Sequence, residues 1–566
     1  MHAPGKPAPA EPAGKGRVGA RALALLVGAA TMAAIWWNDR HLTGVHAMAV
    51  TAAFACFIAV LTRRAILSAV LAAALVAFVL AVAFVKRGQT DFILHAWDLF
   101  DTALWRFSIP DLARAYPLAM GAAALAMLAA VAAPVFAFMR EAPDVRRLPA
   151  LGAFVLACLA AAVIAAWDGG PRHMQYTYPD RHVSSFYSSW PEALETLARG
   201  QLIEAAPSRL APFDPAPACA PRDKPPHIIL IHQESVTPPG PLKGLDYDRA
   251  LDDFFRSHDG RIHAMRVETY GGASWLTEFS ILTGAASRFF GSIRHFVQIY
   301  MAGRIDDALP TVLARCGYTN MMFYPYLKGF FGSARFFETV GLRQIYDARD
   351  QKAASAAEPD SFYYGNMLAE IGRRVERREG PLFIYVQTMA AHWPYDVTYW
   401  PERDVKGGGP GTNPEMHEFL RRIAMAKEDY AALVKNLAAR FPDERFLVVH
   451  YGDHHPLATR FYFGFANEEI EKINETLPEA SPAFVTYFAV DGVNYAPPAL
   501  PAVDTVDAAY LGALILEQAR LPVPPSWSER ARLMRACDGR YALCPDRQAI
   551  LQFHRRLIDS GLLIAR

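Results

Sequence analysis

The sequence predicts an α/β protein in two parts: a polytopic helical membrane domain, then a domain built on a mostly parallel sheet. Two observations carry that reading. Five long apolar stretches crowd the first third of the 566 residues. Beyond a Pro-rich boundary, short apolar runs alternate with helical patterns, as strands joined by helices do. Hydrophobic residues make up 52% of the chain and charged residues 20%, and the two are concentrated in different parts. A net charge of +1 provides no basic face for nucleic acid, so no nucleic-acid partner is expected.

The apolar stretches lie at 20–37, 46–62, 65–85, 115–139 and 148–167. Each is about the length that spans a bilayer as a helix. The first by itself could pass for a signal peptide, but four more follow it. Basic residues in the short connections set the orientation. Lys6, Lys15 and Arg17 precede the first stretch, Arg63 and Arg64 fill the second turn, and Arg140, Arg146 and Arg147 fill the fourth. Alternating spans bring these three groups to one side, whereas the opposite loop 38–45 holds only Arg40. The N-terminus is therefore expected inside, with everything after Trp167 outside.

Two aromatic-rich segments flank these spans. One runs from Phe92 through Trp97 and Phe100 to Trp105 and Phe107; the other, 184–202, holds Phe186, Tyr187, Trp190, Leu194 and Leu197. Aromatic residues mixed with charges suit helices lying at a membrane surface. They would either shape an approach for a lipid or cover the membrane domain.

From 203 to 226 the chain is rich in Pro and Ala, a boundary signal. The expected divisions are a membrane domain over 1–170, an interfacial helix and linker over 171–226, an α/β domain over 227–525, and an extension over 526–566. Strands are expected at His227–His232, Tyr318–Tyr324, Pro381–Gln387, Arg445–His450 and Ala483–Val490. Helical patterns fall at 306–316 and 416–440. Cys219, Cys316, Cys537 and Cys544 lie in the polar part, an even number compatible with two disulfides. Cys537 and Cys544 are near neighbours, which leaves Cys219 to pair with Cys316; the absence of any Cys-x-x-Cys pair argues against a metal site there.

In parallel sheets ligands gather where strands end. The first strand runs into Gln233-Glu234-Ser235, another into the segment ending His392-Trp393-Pro394-Tyr395, and a third into Gly452-Asp453-His454-His455. Glu234, Asp453 and His454 supply two carboxylates and an imidazole, a ligand set for Mg, Mn or Zn. Singly, an acidic residue after a strand is more often a cap. Ser274 follows Gly271-Gly272-Ala273 and opens an apolar run with helical spacing through Leu276, Phe279 and Leu282. Small residues allow a sharp turn that sets a hydroxyl at a helix N-terminus, where backbone N–H groups favour an oxyanion or phosphate. Capping alone would be the plainer role for Ser274.

Together these residues resemble the alkaline phosphatase/sulfatase superfamily, and within it the membrane-anchored lipoteichoic-acid synthases and phosphoglycerol transferases. The matching segments are Ile228–Glu234, Gly271–Gly284, Phe383–Tyr395 and Val448–His454. The resemblance implies an alkaline-phosphatase-like α/β/α domain on the outer face of a bacterial cytoplasmic membrane. It implies one divalent metal ion, Mn or Mg before Zn, held by Glu234, Ser274, Asp453 and His454. Ser274 stands where the family places its nucleophile, usually Thr; Thr269 and Thr277 are the fallback hydroxyls. His392 resembles the His-x-Pro element that touches the transferred group or leaving oxygen, so it is assigned both catalytic and substrate-binding roles. Phe331–Gly341 resembles the segment lining the head-group pocket, which assigns substrate binding to Phe331 and, displaced by two positions, Arg335; His455 is added to that set. The residues around Ser274 lack the Cys/Ser-x-Pro-x-Arg signature of formylglycine sulfatases.

The implied reaction is covalent two-step transfer: Ser274 takes a phospho-head group, phosphoglycerol from phosphatidylglycerol, and a glycan or other hydroxyl acceptor then receives it. Phosphoethanolamine transfer, hydrolysis of a phosphate or sulfate ester, and a non-catalytic glycan-binding module are the alternatives.

Overall fold

The computed structural model describes residues 13–39, 41–90, 93–100, 117–168, 181–221, 223–329, 333–403, 413–465 and 470–564. The chain divides into two compact units, Met1–Glu195 and Thr196–Arg566.

The first unit is helical: α1 (Ala13–Asn38), α2 (His41–Thr62), α3 (Ala65–Thr90), α4 (Pro117–Arg140), α5 (Arg147–Asp168), α6 (His182–Ser188) and α7 (Trp190–Arg199). Four described segments are long and apolar enough to cross a membrane: Arg21–Asn38, Leu42–Thr62, Ala65–Arg87 and Arg147–Trp167. In α4 the described apolar segment is the shorter Met127–Arg140. Leu25, Leu128, Leu148 and Trp167 each expose more than half of their surface. Apolar surface directed outward on long helices fits a lipid solvent, and such helices satisfy their own backbone hydrogen bonds.

The basic turns meet at one end of this unit. Arg64 Nε donates to the Glu141 carbonyl at 2.7 Å, and the Glu141 carboxylate accepts from the Ile66 and Leu67 N–H groups at 2.8 Å, capping α3. Arg21 reaches Asp144 at 3.5 Å. The two aromatic segments behave differently from surface helices. Ile93, Leu94, Ala96 and Trp97 are buried, and Asp98 pairs with Lys86 at 2.7 Å; Phe92, Trp105 and Phe107 lie outside the described residues. Val183 and Phe186 pack with Ile35, Val76 and Leu94, so α6 covers the helical core. Asp39 explains the docking, since its carboxylate accepts from the Val183 and Ser184 N–H groups.

The second unit is built on an eight-stranded sheet in the order β4-β3-β5-β1-β6-β7-β2-β8. Its strands are β1 (His227–Gln233), β2 (His263–Arg266), β3 (Thr319–Phe323), β4 (Gln344–Tyr346), β5 (Leu382–Gln387), β6 (Phe446–Gly452), β7 (Val485–Val493) and β8 (Thr505–Asp507). Only β7 runs against its neighbours. All five expected strands are present; β2, β4 and β8 were not anticipated, being three or four residues long.

Its described helices include α8 (Ser274–Thr283), α9 (Leu309–Arg315), α10 (Ser333–Thr339), α11 (Asp360–Glu376), α12 (Pro414–Arg440), α13 (Ala508–Gln518), α14 (Pro525–Ala536) and α15 (Arg547–Asp559). Strand residues alternate between faces. Ile229, Ile231, Ile384, Val386 and Val448 join one core with Met367, Ile371, Phe419 and Ile423 of α11 and α12. The opposite face carries Leu230, in register with Tyr385 of β5, and His232 two residues further along β1.

The Pro-rich segment is a strap along this unit. Glu204 N donates to Phe289 O at 2.8 Å, Ala206 N to Leu551 O at 3.1 Å, and Cys219 is bonded to Cys316. Cys537 is bonded to Cys544, as expected. The expected extension is part of the same packed unit: Trp527 is fully buried, and Arg530 donates to the Thr283 and Gly284 carbonyls at 3.0 Å, closing the C-terminus of α8.

Candidate active site

The strands β5, β1 and β6 are adjacent and parallel, so the segments that follow them lie side by side. Glu234 follows β1, Asp453 and His454 follow β6, and the His392 loop follows β5. Gly452 permits the convergence of β1 and β6: a Cβ there would lie 1.9 Å from Val236 O.

Ser274 arrives from the other side of the sequence at the start of α8. The helix N-cap is Ala273, held at φ 64°, ψ 42° without a side-chain cap bond. Ser274 is therefore the first helical residue and does not cap the helix. A non-Gly residue in the left-handed region costs energy and often marks a functional turn. Ser235, next to Glu234, sits there too at φ 61°. The turn is braced by Thr269 Oγ1, which donates to Gly272 O at 2.7 Å, and by Gly271 N, which donates to His455 O at 3.0 Å.

Ser274 Oγ donates to Glu234 Oε2 at 2.9 Å and lies 3.3 Å from His454 Nε2. His454 Nε2 is 3.3 Å from Glu234 Oε1 and 3.2 Å from Asp453 Oδ2. The other Asp453 oxygen accepts from Ser235 N at 2.8 Å. Glu234, Asp453 and His454 are almost wholly buried, while Ser274 keeps partial access. Thr277 is buried and donates to Asp453 O at 2.8 Å, so both fallback hydroxyls serve the frame rather than the chemistry.

The charges are strongly coupled. Burial alone would raise the Glu234 carboxyl, but His232 and His454 hold it well below the usual range. Burial disfavours the His454 imidazolium, yet Asp453 and Glu234 raise it to about 9. Two buried carboxylates facing imidazole nitrogens demand positive charge at their centre. A divalent cation meets that demand with a suitable donor set. His232, Glu234 and Asp453 also present ligand atoms within 4.8 Å of one another.

His392 is partly exposed, and its charge is felt at Glu234. Its loop is held from behind. Arg422, fully buried, donates to His392 O at 2.6 Å and to the Pro394 and Val397 carbonyls at 2.8 Å, while Glu418 accepts from its Nε at 2.7 Å.

The remaining assignments fare differently. His455 is buried, its Nε2 donates to Val485 O at 2.7 Å, and its ring packs on Tyr270 and Phe463. Burial lowers it to about 4. Its backbone carbonyl accepts from Gly271 N, so it stands behind the Gly271 turn. Arg335 is exposed on α10 with its guanidinium beside Gly303, and no described hydrogen bond brings it to the ligand residues. Phe331 lies outside the described residues. Sequence reasoning missed His232, whose position two residues before Glu234 on one strand face was the available signal. It also missed Glu278 beneath the site and Tyr326 beyond β3, whose phenol is raised by burial and then by the Glu234 charge.

Residues 265–475, within the second unit, match the sulfatase family model. A Haemophilus influenzae relative, described as an uncharacterized protein, is 23% identical over 353 residues; the match spans 60% of this chain and 60% of that relative's length. Among solved structures, the Streptococcus pyogenes phosphoglycerol transferase GacH in complex with sn-glycerol-1-phosphate is similar, with a TM-score of 0.47 and 16% identity, over 61% of this chain and 87% of that one. The lipoteichoic acid synthase LtaP from Listeria monocytogenes gives a TM-score of 0.40 and 14% identity, over 59% and 78% of the two chains. The integral membrane lipooligosaccharide phosphoethanolamine transferase EptA from Neisseria meningitidis gives 0.41 and 11%, over 86% and 96%.

Proposed function

We propose that this sulfatase-superfamily membrane protein transfers a phospho-head group from a membrane phospholipid to a hydroxyl acceptor through a covalent intermediate on Ser274. The observation that carries the proposal is the Ser274 hydroxyl at 2.9 Å from a buried carboxylate and 3.3 Å from His454, at the first turn of a helix. Glu234, Asp453, His454 and Ser274 would hold a divalent cation, which when bound would supply Lewis acidity that lowers the hydroxyl's pKa and offsets phosphoryl charge. The bond from Ser274 Oγ to phosphorus forms as the bond to the diacylglycerol oxygen breaks. Ser274 gives up its proton to water as it attacks, and His392 protonates the departing oxygen. In the second step the acceptor hydroxyl loses its proton to His392 and displaces Ser274, which recovers its own. The N-terminus of α8 favours the negative charge that builds in both steps.

Phosphatidylglycerol is the proposed donor and an envelope glycan the proposed acceptor, with the second unit on the outer side of a bacterial cytoplasmic membrane. Four apolar spans and two disulfides are compatible with that location. The test is intact mass of the purified protein after incubation with Mn and phosphatidylglycerol, beside Ser274→Ala. A glycerol-phosphate adduct on the parent and none on the variant is expected. An ethanolamine-phosphate adduct with phosphatidylethanolamine would replace the donor assignment. Ester hydrolysis by the Ser274→Ala variant at the parent's rate would overturn the nucleophile.

A further inference from the structure

Beneath the carboxylates lies a histidine outside the expected ligand set. His232 is in β1 and fully buried. Its Nε2 lies 3.2 Å from Asp453 Oδ2 and 3.4 Å from Glu234 Oε2. Neither His232 Nε2 nor Asp453 Oδ2 has a hydrogen-bond partner among the described residues. Imidazole nitrogens and carboxylate oxygens converging at 3.2–3.4 Å in a buried site suit a cation shared between them. The ring's other nitrogen is already engaged. His232 Nδ1 lies 3.2 Å from Tyr385 Oη and 3.3 Å from Glu278 Oε1. Glu278 is itself fixed: Gln298 Nε2 donates to it at 3.1 Å, and Tyr385 Oη at 3.3 Å. An imidazole backed by a carboxylate is the arrangement that sets the tautomer of a metal-ligating histidine.

We propose that His232 is a direct ligand of the site's metal ion and that Glu278 is the positioning residue that aims it. The inference rests on the metal-dependent reading of the site and adds a second imidazole to it. One ion then has donors from His232, Glu234, Asp453, His454 and Ser274. Two imidazoles shift preference toward Zn or Mn, because Mg favours oxygen donors and retained water. Glu278 stands four residues after Ser274 on α8, so one helix carries the hydroxyl and also steadies a ligand. Metal position and hydroxyl position are thereby registered by a single rigid element.

The test uses the full chain in detergent, stripped with a chelator. Zn and Mg are titrated against a chromophoric competitor, and pulsed EPR on the Mn-loaded parent counts the imidazoles. Two imidazole nitrogens are expected. Glu278→Gln should weaken Zn binding by about 10–100-fold, and His232→Gln by more, with a smaller change for Mg. Unaltered circular dichroism of the stripped variants shows that the loss is local. A single imidazole in the parent, or Zn affinity in both variants within about 2-fold of the parent's, overturns the proposal. The EPR count needs no variant and so survives a folding failure of His232→Gln. Two imidazoles with no lipid-derived adduct on Ser274 would sink the transfer reading and leave this one standing; one imidazole with the adduct would do the reverse.

Discussion

Ser274 and Glu234 are 40 residues apart in sequence and joined by a hydrogen bond of 2.9 Å, with the hydroxyl donating to Oε2. The same carboxylate faces His454 at 3.3 Å through its other oxygen. Glu234 is therefore placed to serve both the hydroxyl and the proposed cation. Glu234→Gln keeps the shape and removes the charge. It is expected to lower the rate of adduct formation by on the order of 10³-fold or more, with Mn affinity reduced in parallel. Adduct kinetics combined with metal titration check this; a variant that loses affinity but regains full rate at saturating Mn would show that Glu234 acts through the metal alone.

Arg422 is the structural reason that His392 has a fixed position. Its guanidinium forks across three loop carbonyls, and Lys cannot reproduce that fork. Arg422→Lys should slow transfer by about 10²-fold, the loss expected from misplacing a catalytic group by an ångström. Metal affinity should remain unchanged. An unchanged melting temperature and Mn affinity beside the slower transfer distinguish a displaced His392 from general damage.

Burial, reinforced by Asp429, raises the Asp360 carboxyl to about 8. The protonated form thus belongs to the folded state, while the unfolded side chain ionises near pH 4. Stability from this group is complete below about pH 4 and is lost as pH rises through about 8. Asp360→Asn should be more thermostable than the parent at pH 8 and should lose that advantage near pH 4. Melting curves across this range test the sign.

The two disulfides should differ in weight. Cys219 and Cys316 are 97 residues apart, and chain entropy gives about 4–5 kcal/mol for a loop of that size. Cys537 and Cys544 are 7 apart, for roughly 2–3 kcal/mol. Replacing the first pair with Ser should lower the melting temperature more than replacing the second. Equal losses would mean that native packing around the small loop outweighs loop length.

Much of this arrangement is legible in the residues. The apolar runs of β1, β3, β5, β6 and β7 stand out because buried strands need continuous hydrophobic surface. Their polar followers identify Glu234, Asp453, His454 and the His392 segment. The short strands β2, β4 and β8 escape because three or four residues carry no period; in His263–Arg266, burial alternates without an apolar run. His232 was hidden for the opposite reason, since a histidine inside an apolar strand reads as filler until the face it shares with Tyr385 is known. His455 was assigned by adjacency. It neighbours a ligand residue in sequence, but its ring is turned to Val485 and Tyr270.

Arg530 closes the end of the helix that begins with Ser274, although 246 residues separate it from the Gly284 carbonyl it binds. A ribosome makes the hydroxyl and its turn long before it makes their anchor. A nascent chain halted between α13 and α14 would carry every proposed ligand and still lack the clasp on α8. The clasp on α8 therefore arrives late in synthesis, after both ends of the helix it closes have been made.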